Sequence, residues 1–193
     1  MPLAYAILAS LDFQPMTGYD LKKFFDRSVG HFWTTTQSHI YRALDQLQTE
    51  GWVAFRLIPH EGKPSRKEYS LTESGRAELR RWLTTPLPPG PVREAWLIQL
   101  FFSHTSTDAQ IVALIEERGQ QIRQILAVYR QQTSIPEEAA PGLERARALW
   151  QMTLDYGIAF YEFELRWNEE MLKRIKHLPP LSGGPSPRRR KQK

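Results

Sequence analysis

Residues 36–51 read TQSHIYRALDQLQTEG and carry the strongest structural signal in the chain. Ile40, Leu44 and Leu47 recur at the spacing of one face of an α-helix, and polar or basic side chains fill the opposite stripe. Gly51 follows as a typical helix stop. A helix that packs by one stripe and leaves a polar stripe free is the form that a helix-turn-helix presents to the DNA major groove. This segment is therefore a candidate recognition helix.

The segments around this helix predict a winged helix-turn-helix. Two helices precede it, at residues 3–11 and from about residue 18 to 27. Residues 52–58 have the aromatic and β-branched content of a strand, a turn-rich segment spans 59–65, and a second strand returns over 68–71. Thr72 is a plausible N-cap for a fourth helix that runs to about residue 83. The predicted order is helix, helix, helix, two-stranded wing, helix.

The second half is predicted to be helical. Four prolines and a glycine within residues 84–91 exclude a continuous helix and indicate a linker. Beyond it, Thr107 and Gln110 form a possible capping box for a long helix with an isoleucine seam that Arg118 interrupts. A last helix, residues 143–177, is apolar over so much of its circumference that it needs a cover, and a second subunit would supply it.

These segments predict a mainly α (α+β) fold. The expected domains are a winged-helix domain at 1–83, a Pro-rich linker at 84–91, an all-helical dimerisation domain at 92–177, and a disordered basic tail at 178–193. The net charge of +5 belongs to that tail. Without its five basic residues at 188–193, 21 basic residues face 21 acidic ones. Bulk charge therefore does not identify a DNA-binding protein here.

Composition and motifs exclude several classes of function. The 193 residues contain no cysteine, which excludes disulfide scaffolds and thiolate sites. The five histidines have no metal-ligand spacing, and no phosphate loop, dinucleotide motif or nucleophile elbow is present. We expect no enzyme activity, no metal and no cofactor. The apolar run at 3–11 is too short to cross a membrane and resembles no signal peptide, so a cytoplasmic location is expected.

Eight side chains are candidates for DNA contact, each with a simpler alternative. Gln37 and Ser38 suit contacts to bases or phosphates; the alternative is that they serve only to cap the helix. Arg42 suits guanine or phosphate but could be solvated. Tyr41 and Tyr19 suit phosphate, Tyr41 also a thymine methyl group, and either could pack instead. The basic candidates of the wing, which could form an ordinary charged turn, are Lys63, Arg66 and Lys67.

Three side chains of the helical half are candidates for an effector pocket. Trp96 and Phe101 could stack on a flat, phenolic ligand, although core packing would explain both. Arg118 could hold an anionic ligand or pair with a carboxylate of the protein.

The chain also resembles a known family, the PadR-like transcriptional regulators, in the form with a long helical C-terminal region. The motifs are Thr17-Gly18-Tyr19-Asp20-Leu21, Ile40-Tyr41-Arg42-Ala43-Leu44, Glu50-Gly51, Arg66-Lys67-Glu68-Tyr69, Leu71-Thr72-Glu73-Ser74-Gly75, Val92-Arg93-Glu94, Leu100-Phe101-Phe102, and Gly157 followed by Tyr161-Glu162 and Trp167. The likeness spans about residues 3–177. It implies a winged-helix domain and a helical dimerisation domain, in regulators that commonly repress and are often relieved by small molecules.

The expected function is sequence-specific regulation of transcription. A homodimer would present two recognition helices to a pseudo-palindromic site in double-stranded DNA, with half-sites about one helical turn apart. The alternatives are an adaptor that uses the same fold to bind protein, and a DNA-packaging protein without sequence preference.

Overall fold

The computed structural model describes residues 2–60, 63–91, 93–131 and 142–181. The chain divides into two units, Met1–Pro89 and Gly90–Lys193. The fold is mainly helical with one small sheet, which confirms the predicted fold class. Residues 84–91 contain no helix or strand. The domain limits given above stay a prediction, and the basic cluster of the tail lies outside the described residues.

The described part of the N-terminal unit contains four α-helices, a short 3₁₀ helix at Val29–His31 and three strands. The helices are α1 (Pro2–Phe13), α2 (Gly18–Arg27), α3 (Gln37–Thr49) and α4 (Glu73–Leu83), and the strands are β1 (Met16–Thr17), β2 (Val53–His60) and β3 (Lys63–Leu71). The strands pair antiparallel in the order β1-β3-β2. The helices and the hairpin follow the predicted order. Strand β1, which pairs Met16 with Tyr69, was not predicted.

The core of this unit lies where α1, α2 and α3 meet the sheet. Ile40, Leu44 and Leu47 of α3 are completely buried, as the predicted packing stripe requires. They join apolar side chains of α1 and α2 in one cluster that also contains Tyr69 of β3. Burial of such side chains contributes about 1.5–3 kcal/mol each, so this stripe fixes the orientation of α3.

A tight joint connects α3 to the wing. Gly51 has a positive φ of 73°, the Trp52 N–H donates to the Leu47 carbonyl at 2.9 Å, and the Gly51 N–H donates to that of Gln48 at 3.0 Å. This is a Schellman end, and it confirms Gly51 as the helix stop. The Thr72 N–H donates to the Trp52 carbonyl at 3.0 Å, and the Thr72 and Ser74 hydroxyls donate to the Gly51 carbonyl at 2.8 and 2.9 Å.

The wing is longer than predicted. The predicted turn at 59–65 is mostly strand, because β2 extends to His60 and β3 begins at Lys63. Pro64 lies in β3 outside the short stretch that pairs with β1 and next to an irregularity in the pairing with β2, between Ile58 and His60, where a strand tolerates proline. The sequence prediction therefore assigned residues 59–60 and 63–65 to a turn although they belong to strands.

The C-terminal unit contains α5 (Ala95–Phe101), α6 (Asp108–Gln131) and α7 (Glu144–Ile175). The predicted capping box opens α6: the Gln110 N–H donates to the Thr107 hydroxyl, and the Thr107 N–H donates to the Gln110 side chain at 2.9 Å. Helices α6 and α7 pack antiparallel, with Ile111 and Ile115 near Ile175 at one end. The isoleucine seam of α6 is thus covered by α7 of the same chain.

One side of α7 is exposed in the single chain although it is apolar. Tyr156 is 73% exposed, and large apolar side chains recur on the same side every three or four residues. These side chains are Leu149, Met152, Tyr156, Phe160 and Phe163, and we call them the α7 apolar face. Helix α5 adds Ile98 and Phe101 as exposed apolar side chains. None of the helices in the described part of the chain could span a membrane.

Candidate nucleic-acid interface

Helix α3 leaves its polar stripe in solvent. Gln37, Ser38, Tyr41, Arg42 and Asp45 are all exposed, whereas the opposite stripe is buried. Thr36 is the N-cap and accepts a hydrogen bond from the His39 N–H at 3.3 Å. The packing of α3 by one stripe therefore places five polar side chains on one surface, as the sequence predicted for a recognition helix.

Arg42 and Gln37 are available for contact with a ligand. Arg42 makes no hydrogen bond or ion pair with any part of the chain that the structure describes, and the same holds for the Gln37 side chain. The Ser38 hydroxyl is already engaged, because it lies 3.0 Å from the hydroxyl of the N-cap residue Thr36. This contact favours the capping role that the sequence left open for Ser38.

Tyr41 has one side against the protein and one side in solvent. It is 40% exposed, and its ring rests on Gly18 so closely that a Cβ on Gly18 would lie 2.5 Å from Cε1. Tyr41 is therefore partly packed and partly accessible: the hydroxyl end of its ring contacts the α2 backbone at Gly18, and 40% of the residue remains exposed. A side chain at position 18 would force the Tyr41 ring to move, which the sequence alone did not reveal.

Tyr19 lies beside this contact at the start of α2. It is 48% exposed, and Lys23 Nζ lies 4.4 Å from the centre of its ring. The Thr17 side chain accepts from the Asp20 N–H at 3.2 Å and so caps α2. Gly18 contacts the Tyr41 ring, and Tyr19 is the next residue along α2. Helix α2 therefore places Tyr19 and Lys23 near the α3 surface. Lys23 was not among the predicted residues.

Tyr69 lies beneath the α3 surface and stays neutral. It is 2% exposed, and burial raises the pKa of its hydroxyl, with further contributions from Asp45 and Tyr41. A neutral phenol buried below α3 supports this helix without adding charge to the surface that faces solvent.

The basic side chains of the wing divide between its two faces. Residues paired directly across two antiparallel strands point to the same face, and neighbours along a strand point to opposite faces. Lys67 pairs with Leu57 and shares a face with Phe55 and Tyr69, whereas Arg66 pairs with Ile58 and shares the other face with Glu68. Arg66 and Lys67 therefore cannot contact one ligand surface from the same face of the wing.

Lys67 lies on the wing face that continues toward the core. Its Nζ is 4.2 Å from the centre of the Phe55 ring, a cation–π contact that directs the ammonium group. On the other face, Arg56 pairs with Glu68 at 2.6 Å. Arg66 is exposed. Lys63 begins β3, but its side chain lies outside the described residues.

Two of the three effector candidates lie together in the C-terminal unit. The Arg118 guanidinium is 4.1 Å from the centre of the Trp96 ring, and it pairs with Glu164 of α7 and lies 4.0 Å from Glu94. Arg118 therefore has a carboxylate partner within its own chain. Phe101 is 80% exposed and packs edge-on against Phe102, so no observed contact joins it to the other two.

Trp96 also packs against α7. Its ring meets that of Trp167 edge-on at 5.1 Å, yet its buried indole N–H has no acceptor in the described part of the chain. A buried donor without an acceptor is uncommon in folded proteins, and it keeps Trp96 open as a ligand contact. The same described residues contain no cluster of side chains that could hold a metal ion.

Both halves of the chain match known protein families. The family model described as "Transcriptional regulator PadR-like family" matches residues 7–81, and the one described as "Virulence activator alpha C-term" matches residues 92–176. A probable transcriptional regulator of Mycobacterium tuberculosis, Rv1176c, is 36% identical over 154 residues, which cover 79% of this chain and 77% of that protein. The negative transcriptional regulator PadR of Bacillus subtilis is 37% identical over 101 residues, which cover 52% of this chain and 56% of that protein.

Solved structures of Bacillus subtilis PadR are similar over almost the whole fold. The structure in complex with operator DNA has a TM-score of 0.75 at 26% identity and covers 91% of this chain and 99% of that one. The structure in complex with p-coumaric acid has a TM-score of 0.72 at 25% identity, with the same coverage.

Proposed function

The chain belongs to the PadR-like family of DNA-binding transcriptional regulators, in its long form, and from this premise we propose that it is a repressor that binds a pseudo-palindromic operator as a homodimer. The observation that carries the proposal is the free polar stripe of α3, with Arg42 exposed and unpaired among the described residues. A repressor of this kind acts by occupying DNA that the polymerase needs. A relative named as a negative regulator supports the direction of the effect.

Within the proposed interface, the α3 stripe supplies base contacts and the surrounding groups supply phosphate contacts. Gln37, Tyr41 and Arg42 lie on α3 and reach toward base edges, with Arg42 suited to a bidentate bond to guanine. Ser38, which is tied to the cap, and Tyr19 suit the phosphate backbone. On the wing, Lys67 is favoured over Arg66, because its face continues toward Tyr69 beneath α3.

Replacing Arg42 by Ala is expected to weaken operator binding by about 1–3 kcal/mol, because the guanidinium contact to a base is lost while the buried stripe of α3 is untouched. Fluorescence anisotropy with labelled operator DNA measures the change. The loss should be larger for the operator than for unrelated DNA. Arg80→Ala, an exposed arginine on α4, is the matched control. An equal loss on both DNAs would reassign Arg42 to a phosphate.

The homodimer is proposed from the α7 apolar face. Five large apolar side chains exposed on one side of a single helix form a patch of the kind that marks an interface between proteins. A second copy of the chain is the occupant that gives an operator two half-sites.

Sedimentation is expected to give a mass near twice 22.5 kDa at micromolar concentration. Tyr156→Glu places a charge in the α7 apolar face and should shift the protein toward monomer, because a buried unpaired carboxylate opposes association. Gln120→Glu adds the same charge on α6, on the flank away from that face, and should leave the mass unchanged. A wild-type monomer at this concentration would contradict the dimer.

An aromatic acid is the effector class we propose, with its oxygen accepting the free Trp96 indole N–H. The Bacillus subtilis relative solved with p-coumaric acid supports this class of ligand. Such an effector must bind the DNA-competent and DNA-incompetent dimers unequally, since equal affinity shifts no population. Release of labelled operator DNA on addition of aromatic acids tests it, and operator affinity that no such acid changes would remove the effector from the mechanism.

Selection of bound fragments from genomic DNA tests the main proposal. A repressor dimer should enrich a palindromic motif upstream of genes whose transcription rises when the protein is removed. Absence of any enriched fragment would indicate a protein-binding adaptor, and binding without sequence preference would indicate a packaging protein. Either result would overturn the proposal.

A further inference from the structure

A second feature of the C-terminal unit is a cavity between its two long helices. This cavity between α6 and α7 has a volume of about 370 Å³ and three apolar side chains in its wall. Charged side chains accompany them at its margin. The residues of the wall that matter here are Ile115, Leu165, Leu172, Glu116, Arg123 and Glu169.

Asn168 of α7 lines this cavity and is 3% exposed. Neither its side-chain nitrogen nor its side-chain oxygen has a hydrogen-bond partner in the described part of the chain. Leaving a buried polar group without a partner is unfavourable, and an amide leaves both a donor and an acceptor here. A cavity beside such a side chain gives a ligand or water the room to satisfy both atoms.

Arg123 completes a polar pair with Asn168. A Cβ built on Gly119 would lie 3.6 Å from Arg123 Nη1 and 3.6 Å from Asn168 Nδ2. The two nitrogens therefore lie at most about 7 Å apart, a separation that the two oxygens of one carboxylate can bridge with ordinary hydrogen bonds. Arg123 forms no ion pair with another described residue, so its charge is available.

The cavity also contains acidic side chains, which favour a positively charged group on the ligand. Glu116 and Glu169 both line it, and neither forms an ion pair within the described residues. One arginine and two glutamates disfavour a ligand with two negative charges and favour one that carries both signs. The Asn168 side-chain oxygen, which still needs a donor, suits the positive group of such a ligand.

The cavity lies away from the surface proposed for dimerisation. Phe163 belongs to the α7 apolar face and Leu165 to the cavity wall. They are two residues apart, which at about 100° per residue places them on nearly opposite sides of α7. A partner on the α7 apolar face therefore leaves the cavity open.

We propose that the α6–α7 cavity binds a zwitterionic α-amino acid with an apolar side chain. Arg123 and the Asn168 nitrogen hold its carboxylate, while the Asn168 oxygen and the two glutamates receive its ammonium group. Ile115, Leu165 and Leu172 cover its side chain. The proposed amino-acid binding does not rest on the DNA interface, and it is measured without DNA.

Titration calorimetry of the full chain with leucine, isoleucine, valine and phenylalanine tests the proposal. At least one is expected to bind once per chain, with a dissociation constant of about 1 mM or tighter. Each leucine analogue that lacks one charge, 4-methylpentanoate or 3-methylbutylamine, should bind at least about tenfold more weakly than leucine when leucine binds. No saturable binding of any of the four amino acids overturns the proposal. Equal binding of 4-methylpentanoate overturns the zwitterion and leaves only a carboxylate site.

Two variants locate the site. Arg123→Gln and Asn168→Leu should each weaken binding about ten- to a hundredfold, because each removes a charged or buried partner. Arg174→Gln, an exposed arginine of α7 outside the cavity, is the control and should bind like the wild type. Asn168→Leu should also raise the melting temperature, which shows that its loss of binding is not unfolding. Unchanged binding in either cavity variant overturns the assignment.

Discussion

Replacing Arg118 by Met is expected to destabilise the C-terminal unit by about 3–5 kcal/mol, because Glu164 would be left as a buried charge without a partner. The Glu164 side chain is only 10% exposed and pairs with Arg118, which itself is held over the Trp96 ring. Glu94 lies on the same guanidinium but is itself acidic and cannot replace it. Urea denaturation with amide hydrogen exchange on α6 and α7 measures the loss where it occurs.

Two further variants distinguish the effect of burying the Arg118–Glu164 pair from the effect of losing any ion pair. Arg130 and Glu162 link the same two helices at 2.7 Å but are 58% and 38% exposed, so Arg130→Met should change stability by about 1 kcal/mol or less. The double variant Arg118→Met with Glu164→Leu should recover most of the lost stability, since apolar replacement of a buried pair is often neutral. If Arg118→Met and Arg130→Met destabilised the protein equally, the Glu164 carboxylate would not depend on Arg118.

Replacing Gly75 by Ala is expected to destabilise the winged-helix unit by about 3–5 kcal/mol. The added Cβ would lie 2.1 Å from the Trp52 carbonyl oxygen, a backbone atom that cannot rotate away, and 2.9 Å from Leu71 Cδ1. Helix α4 must then move and lose the hydrogen bonds that Thr72 and Ser74 make to the Gly51–Trp52 turn. Overpacking and these bonds each contribute on the order of 1 kcal/mol or more.

Thermal or urea denaturation of the Gly75→Ala protein provides the measurement. Gly90→Ala is the matched control, because a Cβ there would meet nothing within 4 Å and the change should be neutral or slightly stabilising. A melting temperature for Gly75→Ala that equals that of the control would mean that α4 can shift without losing its contacts.

Much of the fold was predictable because it depends on interactions between residues that are close in sequence. The Thr72 cap, the Thr107–Gln110 capping box and the Gly51 stop each depend on residues within five positions of one another, and all three are confirmed. The α3 packing stripe follows from periodicity alone and is confirmed as well. Such features need no knowledge of what lies across the molecule.

Features set by long-range contacts were not predictable in the same way. Strand β1 has two residues and exists only because it pairs with β3, some fifty positions later. The isoleucine seam of α6 indicated a partner, but its sequence carried no information on whether that partner was α7 or another chain. Ile125 remains 36% exposed on that helix.

The candidate DNA interface shows the same division. Exposure of Gln37, Tyr41 and Arg42 followed from the helical stripe, whereas the fit of Tyr41 on Gly18 depends on how α2 crosses α3. Strand alternation would have predicted that Arg66 and Lys67 lie on two different faces, but the predicted strand began only at Glu68, after both residues.

The joint at Gly51 and Trp52 limits how this regulator can adapt to different DNA sequences. Because α3, the wing and α4 are tied to one another by hydrogen bonds within a few residues, the angle between helix and wing has little freedom. If α3 and the wing both contact DNA, as proposed, they cannot tilt separately to follow a variant binding site. We therefore expect the DNA to bend or change its groove width instead, so that the stiffness of base pairs outside the contacts contributes to selectivity.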